Sequence, residues 1–87
     1  MYYIYILKSL KNNRLYTGST DNINRRLLEH NRGLSKYTKL TKPFTLLYSE
    51  TFTTRPEAVR REMYLKTGKG RSELKKLIER NQLVMGS

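Results

Sequence analysis

Tyr2-Tyr3-Ile4-Tyr5-Ile6-Leu7 carries the reading of the fold. Apolar and aromatic side chains run almost without interruption from Met1 to Ser9, and Tyr and Ile suit a pleated surface. A strand with no polar face is buried on both sides, which places it at the centre of its sheet. The polar turn Lys11-Asn12-Asn13-Arg14 follows, and Leu15–Thr20 returns as a second strand, so the chain opens with a β-hairpin.

Outward from that hairpin, Asp21 or Asn22 offers an N-cap for a helix running to about Asn31, and Gly33 suits the left-handed turn that ends one. Leu34–Pro43 is a basic loop holding Lys36, Lys39 and Lys42. Phe44–Phe52 alternates, predicting a third strand with Phe44, Leu46, Tyr48 and Phe52 on one face. Thr54-Arg55-Pro56-Glu57 reads as an N-cap and a first turn with proline and an acid, opening a helix to about Lys66. Thr67-Gly68-Lys69-Gly70 reads as a flexible basic turn, after which Ser72 caps a last helix with Leu74, Leu77 and Ile78 on one face. The expected fold is α+β: a small three-stranded antiparallel sheet flanked by helices, in the order β-β-α-β-α-α. Residues 1–80 are expected to form a single domain and residues 81–87 a frayed C-terminal tail.

A chain of 87 residues leaves no room for a separate substrate domain, so any reactive site lies on the surface of one small core. Cysteine is absent, which excludes disulfides and thiolate zinc sites, and one histidine cannot build a His-rich metal site. No apolar run approaches the roughly 20 residues of a membrane span, and the N-terminus lacks a signal-peptide pattern. The expected setting is cytoplasmic. Eighteen Lys and Arg against seven Asp and Glu leave a net charge of +11. That excess points to a polyanionic partner, nucleic acid ahead of a membrane surface, because the basic stretches lack a long amphipathic helix with bulky anchors.

Five side chains stand out against this background. On the helix beginning near Asn22, His30 falls within about 20° of Ile23 and Arg26 about 60° to one side, so both border the apolar face. Arg25 is the better candidate for a solvated charge. His30 is either a hydrogen-bonded packing residue or a reactive one, and Arg26 either a specific anion contact or an ordinary ion-pair partner. Glu62 falls between Ala58, Leu65 and Val59, within the stripe that faces the core, where a carboxylate needs a cation or a salt bridge. Tyr5 and Tyr16 are either strand aromatics or proton acceptors. The second role needs a nearby cation or metal, because tyrosine ordinarily titrates at about pH 10. Gly18 either lets backbone approach a substrate or marks a bulge. Gly68-Lys69-Gly70 lacks the spacing of a P-loop.

Tyr3-Ile4-Tyr5 and Tyr16-Thr17-Gly18 together resemble the paired motif of the GIY-YIG nuclease superfamily, in its small stand-alone bacterial form. Asn22-Ile23-Asn24-Arg25-Arg26 resembles that family's Asn-apolar-x-x-Arg segment, with His30 four residues later. Ala58-Val59-Arg60-Arg61-Glu62 resembles the helix segment that ends in its metal-binding glutamate. The sequence departs from the motifs at Tyr3, in place of the first glycine, and at Thr17, in place of the second motif's isoleucine; both changes spare the reactive groups.

The resemblance implies metal-assisted hydrolysis of a phosphodiester in nucleic acid, with DNA the first expectation. Tyr5 would take a proton from the attacking water, and Tyr16 would share that task or contact the phosphate. Arg26 would stabilise charge on the phosphate oxygens, and His30 would orient a tyrosine or touch the phosphate. Glu62 would hold one divalent ion, Mg²⁺ or Mn²⁺. Lys36, Lys39 and Lys42 would hold the nucleic-acid backbone, with Gly18 allowing its close approach. A protein partner for targeting fits so small a chain, and no membrane partner is expected. The rivals are a nucleic-acid-binding module of the same fold, stacking bases on Tyr37, Phe44 or Tyr48, and a basic structural component of a ribonucleoprotein.

Overall fold

The computed structural model describes residues 1–34 and 39–86, with side chains as far as residue 80. β1 (Tyr2–Ser9) lies between β2 (Leu15–Thr20) and β3 (Phe44–Phe52), antiparallel to both. The expected element order is completed by α1 (Ile23–Asn31), α2 (Arg55–Leu65) and α3 (Gly68–Gly86). Ile4 and Ile6 point to one face of the sheet, against Ala58, Leu65, Leu74 and Ile78 of α2 and α3. Tyr5 and Leu7 point to the other, against Phe44, Tyr16 and the α1 residues Ile23 and Leu27. β1 is therefore buried on both faces, as its unalternating sequence requires. Each buried Ile or Leu contributes roughly 1.5–3 kcal/mol.

Local chemistry sets the element ends. Asn22 caps α1 by accepting from the Arg25 amide at 3.0 Å, and Gly33 closes it with a φ of +75°. In the hairpin turn Asn13 takes a φ of +62°, a left-handed conformation that Asn tolerates. The buried Ser9 hydroxyl donates to the Thr41 carbonyl at 2.6 Å and accepts from the Lys11 and Asn12 amides. Asn31 exchanges two hydrogen bonds with the Phe44 backbone, which fastens the end of α1 to the start of β3.

Two expectations are corrected. Phe44, Leu46, Tyr48 and Phe52 do not share a face, because the β1–β3 register slips between Ile6 and Leu7. Ile6 pairs with Tyr48 and Leu7 with Leu46, so Leu47 is the extra residue of a bulge. One inserted residue reverses the parity of a strand. Phe44 consequently packs on the α1 side, and Tyr48 and Phe52 on the α2–α3 side. The second correction concerns Thr67-Gly68-Lys69-Gly70, which is the opening of α3 instead of a free turn. Thr67 is its cap, with its hydroxyl 3.1 Å from the Gly70 amide and its carbonyl 2.9 Å from the Arg71 amide. Ser72 thus lies inside the helix.

An ion-pair cluster absent from the sequence reading ties α2 to both neighbours. Arg61 forks onto Glu50 of β3, with Nε donating at 2.8 Å and a terminal nitrogen at 3.1 Å, and also reaches Glu73 of α3 at 3.1 Å. Tyr48 donates to the same Glu50 at 2.6 Å. Burial, then that bond to Glu50, pushes the Tyr48 hydroxyl up to about 12. It stays a donor at every physiological pH.

Candidate active site

Beside the edge strand β2 lies a cleft of about 990 Å³, lined also by residues of α1, α2 and α3. Both faces of β2 reach it, through Tyr16 and Gly18 on one side and Thr17 and Ser19 on the other. Tyr5, Arg26, His30 and Glu62 line the same cleft. The structure thus brings together five side chains that are scattered over nearly 60 residues of sequence.

Tyr5 is the hub of this group. Its ring lies over Gly18, its partner in the β1–β2 register; a Cβ on residue 18 would overlap the Tyr5 hydroxyl and lie 2.5 Å from Cζ. That register has no break, so Gly18 does not mark a bulge. Its missing side chain is the seat of the Tyr5 ring. The hydroxyl sits 3.2 Å from His30 Nε2, and Arg26 Nε donates to it at 3.3 Å. With one lone pair engaged by Arg26, the phenolic hydrogen is free to point at His30 Nε2, provided that nitrogen is unprotonated.

Electrostatics favours that arrangement. Burial first, then the charge of Arg26, pushes His30 below the usual histidine range, against a smaller opposing pull from Glu29. A neutral imidazole results at neutral pH. Arg26 is held more firmly charged than an isolated arginine by its bond to Tyr5 and then by Glu29, whose carboxylate it meets at 2.8 Å. The expectation that Arg25 is the solvated neighbour holds: it pairs with Asp21 and Glu29 on the outer surface.

The His30 shift makes a stability prediction with a definite sign. A group whose folded pKa is depressed binds protons more readily in the unfolded chain, so folding is opposed as pH falls below about 6.5. Stability is complete above that value and declines towards the lower folded pKa. The acid-shifted carboxylates Glu50 and Glu73 lose their contribution only at still lower pH. Urea midpoints at pH 7.5 and pH 5.5 should therefore differ, with a smaller gap in His30→Gln. An equal gap in the two proteins would remove His30 as the cause.

The other expected residues divide. Tyr16 reaches the cleft, but its hydroxyl shares a hydrogen bond with Thr41 at 3.1 Å and its ring stands edge-on to Phe44. Glu62 is 19% exposed at its side chain and accepts from Lys66 at 2.7 Å. Lys39 and Lys42 lie beside Gly33 at the end of α1 and do not line the cleft. Lys36 and Tyr37 fall outside the described residues. Phe44 is buried, which withdraws one of the aromatics proposed for stacking, and Tyr48 is half-buried against the core.

A family model described as the GIY-YIG catalytic domain matches residues 1–76. A UPF0213 protein of Staphylococcus haemolyticus is 45% identical over 80 residues, covering 91% of this chain and 96% of that protein. A UPF0213 protein of Staphylococcus saprophyticus is 43% identical over 79 residues, covering 90% and 95%. The solution NMR structure of a UPF0213 protein from Bacillus halodurans matches with a TM-score of 0.53 and 34% identity, over 88% of this chain and 85% of that one. No helix among the described residues is long and apolar enough to cross a membrane. With both motif tyrosines, the α1 arginine and the α2 glutamate gathered at one cleft, and with these matches along its length, the chain belongs to the GIY-YIG family.

Proposed function

We propose that the chain is a metal-dependent endonuclease that hydrolyses phosphodiester bonds in nucleic acid, DNA first, within the β2-edge cleft. One observation carries this reading: the Tyr5 hydroxyl is held between a permanent cation, Arg26, and a neutral imidazole, His30. A water entering the cleft gives its proton to the Tyr5 oxygen as the phenolic proton passes to His30 Nε2. The resulting hydroxide attacks phosphorus, the bond to the leaving oxygen breaks, and that oxygen takes a proton from solvent. His30 then releases its proton to solvent. Arg26 stabilises negative charge first on Tyr5 and then on the phosphate oxygens. Tyr5, and not Tyr16, is favoured as the base, because the Tyr5 hydroxyl meets both Arg26 and His30, whereas the Tyr16 hydroxyl is anchored on Thr41.

A divalent ion fits Glu62. The carboxylate is a hard oxygen donor facing the cleft, and no cluster of three or more acidic, histidine or cysteine side chains exists among the described residues. That donor set suits Mg²⁺ or Mn²⁺ held by one carboxylate, with water and substrate oxygens completing the shell. When bound, the ion would neutralise charge on the phosphate. Lys66, which is 52% exposed at its side chain, would yield its place on Glu62. A cytoplasmic setting and a protein partner for targeting go with this reading.

The same Glu62–Lys66 pair favours one rival, a binding module in which Glu62 is only structural. Labelled duplex, branched and single-stranded DNA and matched RNAs, incubated with Mg²⁺, Mn²⁺ or EDTA, separate the two. The nuclease reading expects cutting that EDTA and Glu62→Ala both abolish while circular dichroism stays unchanged. Cutting indifferent to both treatments would overturn the assigned role of Glu62.

A further inference from the structure

α3 also lines the cleft, and no part of the chemistry above uses it. Arg71 and Lys75 stand there one helical turn apart, both exposed, with Leu74 and Ile78 of the core between and beside them. Long cationic side chains beside an apolar stripe cover it with their stems while the charged ends remain in water. The other two cations of the cleft are already engaged, Arg26 with Glu29 and Lys66 with Glu62. Arg71 and Lys75 have no ion-pair partner among the described residues.

Electrostatically Arg71 is placed unfavourably in the free protein, and Lys75 less so, because Glu79 lies one turn beyond it. Like charges at i and i+4 on a helix repel, and Arg71 also lies at the positive end of α3, whose first turn carries no acid. An anion bridging the two side chains relieves both penalties. Their separation along the helix axis is about 6 Å, a spacing suited to neighbouring phosphates of one strand. One turn further on, Glu79 lines the same cleft with the opposite charge, which ends the cationic track.

We propose that Arg71 and Lys75 form a phosphate clamp that seats one strand of the nucleic acid along α3, so that the phosphate to be cut faces Tyr5 and Arg26. The clamp rests on the nuclease reading for its orientation, but its binding needs no cutting. It supplies within the cleft the backbone contact that Lys39 and Lys42 do not.

Fluorescence anisotropy with a labelled single strand and a labelled duplex, in EDTA and over a series of KCl concentrations, tests it. Each lost phosphate contact lowers the slope of log affinity against log salt by about 0.7 for a single strand and about 0.9 for a duplex. Arg71→Ala/Lys75→Ala should therefore flatten the slope by about 1.4 or about 1.8. Between 50 and 200 mM salt the double variant should lose roughly 7- to 12-fold less affinity than the wild type. Lys69→Ala/Lys76→Ala removes equal charge from exposed α3 positions outside the cleft and should leave the slope unchanged. Glu79→Lys, which extends the track, should tighten binding.

Equal effects from the two double variants would reduce the clamp to general attraction by a basic protein and overturn it. So would an unchanged slope in Arg71→Ala/Lys75→Ala, or no gain in Glu79→Lys. Metal-dependent cutting that survives such a result leaves the nuclease reading standing. A confirmed clamp in a protein that never cuts removes the nuclease reading alone.

Discussion

Tyr5→Phe should cut about 10²–10⁴-fold more slowly than the wild type, the span associated with one positioned proton-transfer group. The substitution removes a single oxygen and leaves the ring in its seat over Gly18. Substrate affinity measured in EDTA should therefore be almost unchanged, and the loss should appear in the single-turnover rate. His30 and Arg26 each lose one hydrogen-bond partner, at a stability cost of about 1 kcal/mol that a urea titration can check. Arg26→Ala should slow cutting by about 10²–10³-fold, as expected for one donor to a developing anion. The two changes act on the same hydroxyl, so the double variant should fall well short of the product of the single effects. Full additivity would mean that Arg26 and Tyr5 work on different steps.

Gly70→Ala should destabilise the protein by about 3 kcal/mol, the upper end for overpacking, against a total stability of about 5–15 kcal/mol for a small domain. A Cβ at residue 70 would overlap the Tyr64 carbonyl oxygen and lie 2.6 Å from Leu65 Cα. These are backbone atoms of α2, which cannot rotate away as a side chain can. Helix propensity alone predicts the reverse sign, a gain of about 1 kcal/mol from replacing glycine within a helix. Gly68 is the control, because nothing lies within 4 Å of the Cβ it lacks. Gly68→Ala should stabilise by about 0.4–1 kcal/mol. Opposite signs at two glycines of one turn would show that close approach of α3 to α2, and not flexibility, selects Gly70. Matching signs would contradict that account.

The strands and helices were legible because each has a local cause. An unalternating apolar strand must be central, and Asn22, Gly33 and Thr54-Pro56 mark helix ends by chemistry that needs no distant partner. What stayed hidden depends on other parts of the chain. The bulge at Leu47 is set by pairing with β1, and alternation within β3 alone places Phe44 on the wrong face. Glycine reads locally as a helix breaker, so Thr67-Gly68-Lys69-Gly70 looked like a turn, although Thr67 is itself a cap residue. Arg61 sits 11 residues from Glu50 and 12 from Glu73 in sequence, and no periodicity links them.

The site divides along the same line. Arg26 and His30 were visible as polar groups bordering the apolar face of α1, and Glu62 as a carboxylate on a core-facing stripe. The meeting of Arg26 and His30 at Tyr5 depends on the packing of α1, and the role of Gly18 on the β1–β2 register that sets the ring above it. Arg71 and Lys75 had one local signal, two cations flanking the Leu74–Ile78 stripe at helical spacing. In so basic a chain that signal looks the same as an ordinary solvated helix face.

Single-turnover cleavage of labelled branched and duplex DNA in Mg²⁺, by wild type and Arg26→Ala side by side, tests the central claim most directly. The account predicts metal-dependent cutting by the wild type, reduced at least about 10²-fold in a folded Arg26→Ala. No cutting of any DNA or RNA with either Mg²⁺ or Mn²⁺, together with equal nucleic-acid binding by both proteins, would contradict it and leave a binding module in its place.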